Sequence, residues 1–249
     1  MKLRDGVKWF VFVLAVCVLS TGVTAQEKKA DEAKKDPRAE YSEAERPEEN
    51  YLARFQAIEV SEKLIKENLE KIYVLKVIAS NFKDQGWEGD YQKIYDQYKK
   101  GVGFFYKRDV IYARVELENN KKAISDLFKK ISEHYKDYTQ TLLFQCADTI
   151  LNLSLDERSQ SDPNKGKVVF QNMMRLRIAY GQLDDAQNTY TDGLYRTSIL
   201  HYRVAKAYGI RIMEELDPAN SKGKFDVHKA DNLNRVLNPE RAKAEPAAK

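Results

Sequence analysis

Between residues 48 and 237, apolar side chains return at intervals of three and four, and no stretch alternates in twos between turn signals. That spacing is the helical period, so a sheet cannot organise this chain. Punctuation is also scarce. The 11 Gly and 6 Pro make up under 7% of 249 residues, against roughly 12% in an average soluble chain. Few tight turns means few, long elements. The expected fold is all-α: long helices in antiparallel hairpins forming an elongated bundle, without a sheet.

The spacing predicts helices over 48–83, 90–118, 121–155, 167–190 and 191–216, and a last short one over 226–237. A helix of about 35 residues spans roughly 50 Å, which suits a rod-like bundle. The first stripe reads Tyr51, Phe55, Ile58, Ile65, Leu69, Ile72 and Ala79. Two Gly and two Asp make 84–90 a turn, and Asn119-Asn120 marks a break or kink. Residues 156–166 (DERSQSDPNKG) form the clearest loop, Gly181 is a possible nick, and Asp217-Pro218 stops a helix.

The chain opens MKLRDGVKWFVFVLAVCVLSTGVTAQ. Lys2, Arg4 and Lys8 precede an apolar run from Trp9 to Leu19, and Val23-Thr24-Ala25 supplies small residues at a cleavage site. This is the three-part secretory signal, and the run is too short to cross a bilayer. Residues 1–25 are therefore read as a signal peptide, with lipoprotein processing at Cys17 as the competing route. Removing them, with Lys2, Arg4, Lys8 and Asp5, takes the formal charge from +4 to +2. Of two cysteines only Cys146 then remains, so the core rather than a disulfide framework must hold the fold. Residues 26–47 read as a flexible charged leader, with Ser42 and Glu45 at capping-box spacing, 48–237 as the helical domain, and 238–249 as a flexible tail.

Near-balanced charge gives no electrostatic reason to bind nucleic acid. The residues that could carry chemistry are isolated. His134, His201 and His228 lie far apart, without the i, i+4 partner that helical zinc sites use. His201 and Cys146 fall on apolar stripes, where a satisfied core histidine and a small buried hydrophobe are the simpler readings. Gly101 and Gly103 lack the strand and third Gly of a phosphate loop, and mark close helix packing or a kink. Asp217, Asn220 and Gly223 lack calcium-loop spacing. No catalytic residue, metal ligand, cofactor or small-molecule substrate is expected.

Tyrosine is the exception to this blandness. Tyr91, Tyr95, Tyr98, Tyr106, Tyr190, Tyr195, Tyr202 and Tyr208 recur within helical turns and cannot all face one narrow stripe. Tyr joins an apolar face to a polar tip and is favoured at interfaces, so these eight are candidates for a partner surface. Ordinary bundle filling is the alternative.

The exported leader, the long hairpins, the Tyr-rich RIAYGQLDDAQNTYTDGLYRTSILHYRVAKAYGIRIMEEL segment and KFDVHKADNLNRVLNPE together give the chain an overall likeness. It resembles the spirochaete periplasmic flagellar sheath proteins called flagellar-coiling proteins, over most of its length after the signal. The resemblance implies a non-enzymatic accessory protein in the periplasm. Such a protein would contact the flagellar filament core and other sheath proteins, promote filament curvature and coiling, and support motility. No functional residue carries over from it to a position here. The alternative is a periplasmic adaptor with tetratricopeptide-like hairpins that binds a protein partner. AYGQLDDAQ and EELDPAN, about 35 residues apart, loosely echo that repeat.

Overall fold

A computed structural model describes residues 50–156 and 162–233. The signal peptide, the Cys17 and Ala25 processing sites, the 26–47 leader, the Ser42–Glu45 capping box and the 238–249 tail lie outside them. The described residues form seven helices and no strand. They are α1 (Tyr51–Asn81), α2 (Trp87–Tyr106), α3 (Val110–Leu155), α4 (Pro163–Thr191), α5 (Tyr195–Leu216), the single turn α6 (Pro218–Ser221) and α7 (Asp226–Leu233), with a 3-10 turn at Lys83–Gln85. The all-α reading holds.

The 46 residues of α3 span about 69 Å and serve as the spine. Its first half packs with α1 and α2, its second with α4 and α5. Consecutive helices run antiparallel. That leaves α1 and α5 both parallel to α3: Ala57 packs with Val110, Asn68 reaches Leu117, and Ser132 meets Ser198. Two three-helix bundles thus share one helix. A single apolar core from Leu64 to Ala205 runs through the junction, and each fully buried aliphatic side chain in it contributes about 1.5–3 kcal/mol.

The sequence reading misplaced one break. Helix α2 ends at Tyr106, and α3 runs straight through Asn119-Asn120. Asn120 is fully buried. Its amide donates to the Ile94 carbonyl at 2.7 Å and its oxygen accepts from Asn68 at 3.1 Å, while Asn68 also donates to the Leu117 carbonyl at 2.9 Å. The polar pair ties α1, α2 and α3 together and is no turn. The real break is a Schellman end, in which Asp109 N–H bonds the Phe104 carbonyl and Arg108 N–H that of Phe105. It holds Arg108 at φ 64°, a left-handed conformation where glycine is usual. The same motif ends α4, but with Gly193 at φ 76°.

Smaller corrections follow from caps. The loop before α4 is shorter than 156–166, because Asp162 caps the Asn164 N–H and Pro163 takes the first helical position. Gly181 leaves α4 unbroken. Gly101 is a true close approach: a Cβ there would sit 3.0 Å from Leu117 Cγ, whereas one at Gly103 would meet nothing within 4 Å. The first predicted stripe fails at its start. Ala57, Ser61, Leu64 and Asn68 are buried, while Tyr51, Phe55 and Ile58 are exposed. Small residues let α1 approach α3 closely, and the larger ones are turned outward.

Candidate functional site

Where α1 ends and α5 begins, the short helix α7 folds back over the junction. It is held by Asp231, which is fully buried. The Asp231 carboxylate accepts from Lys206 Nζ at 2.9 Å, Tyr135 Oη at 2.7 Å and Asn81 Nδ2 at 3.3 Å, and pairs with Arg203 Nε at 3.4 Å. Arg203 also donates to the Asp231 backbone carbonyl. One carboxylate therefore joins α1, α3 and α5. Burial alone would raise the Asp231 carboxyl, but the Lys206 and Arg203 cations outweigh it and hold it below the ordinary range. Burial pulls the Lys206 ammonium down to about 8, against the pull of Asp231.

An aromatic cluster lies beside this clasp. Trp87, His134, Tyr135 and His228 all meet the Phe82 ring at centroid distances of 5.5–5.9 Å, and His228 stacks on Tyr138 at 3.8 Å. Burial, reinforced by the Lys206 cation, depresses both histidines, His228 to about 4. Nothing in the spacing of His134 and His228 hinted that they meet. A signal for the clasp did exist: Arg203 and Lys206 flank Tyr202 and Ala205 on the core stripe of α5, and buried cations need a partner.

The other singled-out residues behave as structural groups. Cys146 is fully buried, its thiol donates to the Gly209 carbonyl at 3.3 Å, and burial pushes it up to about 12. A thiol so far from its thiolate is a poor nucleophile at neutral pH. His201 is half-buried with Nδ1 3.1 Å from Gln182 Oε1. Among the described residues, no three His, Cys, Asp or Glu side chains gather in a way that could hold a metal. Nor is any described helix long and apolar enough to cross a membrane.

The eight tyrosines divide by depth. Tyr91, Tyr98 and Tyr202 are buried, and Tyr98 donates to the Ile65 carbonyl at 3.2 Å. Tyr95, Tyr190, Tyr195 and Tyr208 are half-buried. Tyr190 donates to Glu133 at 2.6 Å, a bond that pushes its hydroxyl up to about 12. Only Tyr106 of the eight stands in solvent, 80% exposed. Core filling accounts for three; of the other five, Tyr190 and Tyr195 meet edge to face at a centroid distance of 5.2 Å.

The outward apolar surface is made by other residues. Tyr51, Leu52, Phe55 and Ile58 form a stripe on the first turns of α1. At the other end of the spine, Phe144, Leu151 and Leu155 line α3, and Phe170, Met173, Met174 and Ile178 line α4. Single exposed apolar residues are ordinary, but contiguous patches on a helix face mark interaction sites. The sequence reading missed the second patch because the same helices carry a second, inward apolar face.

No protein-family model, curated protein or solved structure matches the chain.

Proposed function

We infer that the protein is a non-enzymatic structural component of the periplasmic flagellar sheath, promoting filament curvature and motility. The observation that carries this reading is the pair of outward apolar helix faces at the two ends of α3. A subunit that packs laterally in an ordered coat needs more than one contact surface, because many weak interfaces add over many copies. The junction clasp supports the reading too. It ties α1, α3 and α5 into one unit, so a load applied at one end of the spine is carried to the other. A coat laid on part of a filament's circumference makes stiffness unequal around it and so bends it. The overall resemblance to flagellar-coiling proteins supplies the filament.

The test is salt-washed periplasmic filaments from the native organism, analysed by mass spectrometry and imaged with and without the gene. The chain should co-purify in amounts comparable to the filament subunits, and its deletion should straighten the filaments. Recovery only in the free periplasmic fraction, with filament curvature unchanged on deletion, refutes the sheath reading and favours a soluble adaptor.

A further inference from the structure

We propose that a second copy of this chain docks on the back of the α3–α4 pair, so that the protein is a two-fold dimer. Helix α3 meets α5 through Ser132, Leu142, Cys146 and Thr149. At 100° per residue, Phe144, Leu151 and Leu155 fall on the side of α3 away from α5. Helix α4 meets α5 through Arg175, bonded to Glu215, and Gln182, bonded to His201. Met173, Phe170 and Arg177 fall on the side of α4 away from those contacts, whereas Met174 lies at its edge and Ile178 is turned toward α5. Since α3 and α4 are neighbours and α5 underlies both, the two stripes share one flat side. They form a two-helix platform, not two separate patches.

The charges on this platform select the occupant. From Tyr138 to Leu155, α3 carries a single charge, Asp148. From Lys165 to Arg177, α4 carries Lys165, Lys167, Arg175 and Arg177, and no acid. Asp148 sits within its stripe, four residues after Phe144 and three before Leu151. Arg177 sits within the other, three residues after Met174. Both are exposed. An acidic apolar stripe beside a basic apolar stripe is self-complementary if a copy is turned over so that α3 meets α4.

The register agrees. Glu133 on α3 bonds Tyr190 on antiparallel α4. Counting along both helices from that pair places Asp148 level with Arg175, within a turn of Arg177. The same count places Leu151 level with Asn172. Asn172 is itself fully buried, so the exposed apolar side chain of the platform nearest that height is Met173. A two-fold axis parallel to the helices keeps every residue at its own height while exchanging α3 for α4. It therefore sets Asp148 against the partner's basic stripe near Arg177, and Leu151 against the partner's Met173, twice per dimer. The four helices then form an antiparallel four-helix layer, a standard way to bury such stripes. The alternative two-fold, across the helices, would lay α4 on α4 and oppose like charges.

The platform runs only about 17 Å along α3, so association in the micromolar range is expected. The inference stands whether or not the protein coats a filament. The test is sedimentation equilibrium of the purified full chain, with Arg177→Glu, Asp148→Arg and the combined variant. Because both positions are exposed, circular dichroism melts should match wild type and show that all three fold. Wild type should dimerise, each single reversal should weaken the dimer roughly 10- to 100-fold, and the combined variant should restore it. A monomer at about 200 µM, well above the expected range, overturns the proposal. So does a dimer that ignores both reversals, or one that the combined variant fails to restore.

Discussion

Replacing Asp231 with Ala removes the one carboxylate that balances two buried cations. Lys206 and Arg203 are 1% and 3% exposed, and Asp231 itself is fully buried. The variant takes the shared carboxylate from both cations and the acceptor from the Tyr135 hydroxyl. Breaking a buried pair this way costs about 3–5 kcal/mol, because the remaining charge stays desolvated. For a chain of this size that lowers Tm by roughly 6–20 °C, at about 2–4 °C per kcal/mol. Helix α7 could instead let go and admit water, but Phe225, buried at 1% beside its start, anchors it to the α3–α5 core and resists that escape. The assay is chemical denaturation with thermal melting for wild type, Asp231→Ala and Asp231→Ala with Lys206→Met. The second change removes one of the uncompensated charges and should recover at least about 1 kcal/mol. A single-variant loss below about 1 kcal/mol, or no recovery in the double variant, refutes the clasp as the element that fixes the junction.

Three further outcomes are expected. Gly209→Ala places a Cβ 2.9 Å from Leu142 Cδ2 and 3.1 Å from Leu143 Cδ2. Overpacking of about 1–3 kcal/mol should outweigh the gain of about 1 in helix propensity, while Gly181→Ala, with nothing within 4 Å, should stabilise by about 0.5–1, both read by urea denaturation. Arg108→Gly relieves the left-handed strain at the end of α2, worth about 1–2 kcal/mol, less about 0.4–1 for the freer unfolded chain, so its denaturation midpoint should rise. The folded His228 titrates near 4, below its ordinary 6.5, so the unfolded chain binds a proton first as pH falls. The share of stability tied to His228 should be lost between pH 6.5 and 4, about 1–2 kcal/mol once the solvent access of a half-buried ring is discounted, and below that the depressed Asp231 carboxyl should continue the loss. His228→Phe, which keeps a ring to stack on Tyr138, should lose less over that window, and an identical pH profile would contradict the assignment.

How far the sequence could be read depends on the range of the forces involved. Helical period, the scarcity of Gly and Pro, and the Asp217-Pro218 stop are local, and they determined an all-α chain of long hairpins. Arg108 ends α2 without any local mark, since no glycine flags the left-handed position that the Schellman bonds to Phe104 and Phe105 hold there. Asn119-Asn120 looked like punctuation, but Asn120 finds the Ile94 carbonyl and Asn68 only once three helices assemble. The tyrosines show the same limit. Period alone places them on helices, whereas depth depends on which face a neighbour covers, and that put Tyr202 in the core and left Tyr106 in solvent. Composition and period thus determined the class of fold and the presence of long helices, but not where α2 hands over to α3. Only tertiary packing decided which of two apolar faces on α3 and α4 went inward, because a helix with two such faces can bury either until its neighbours choose.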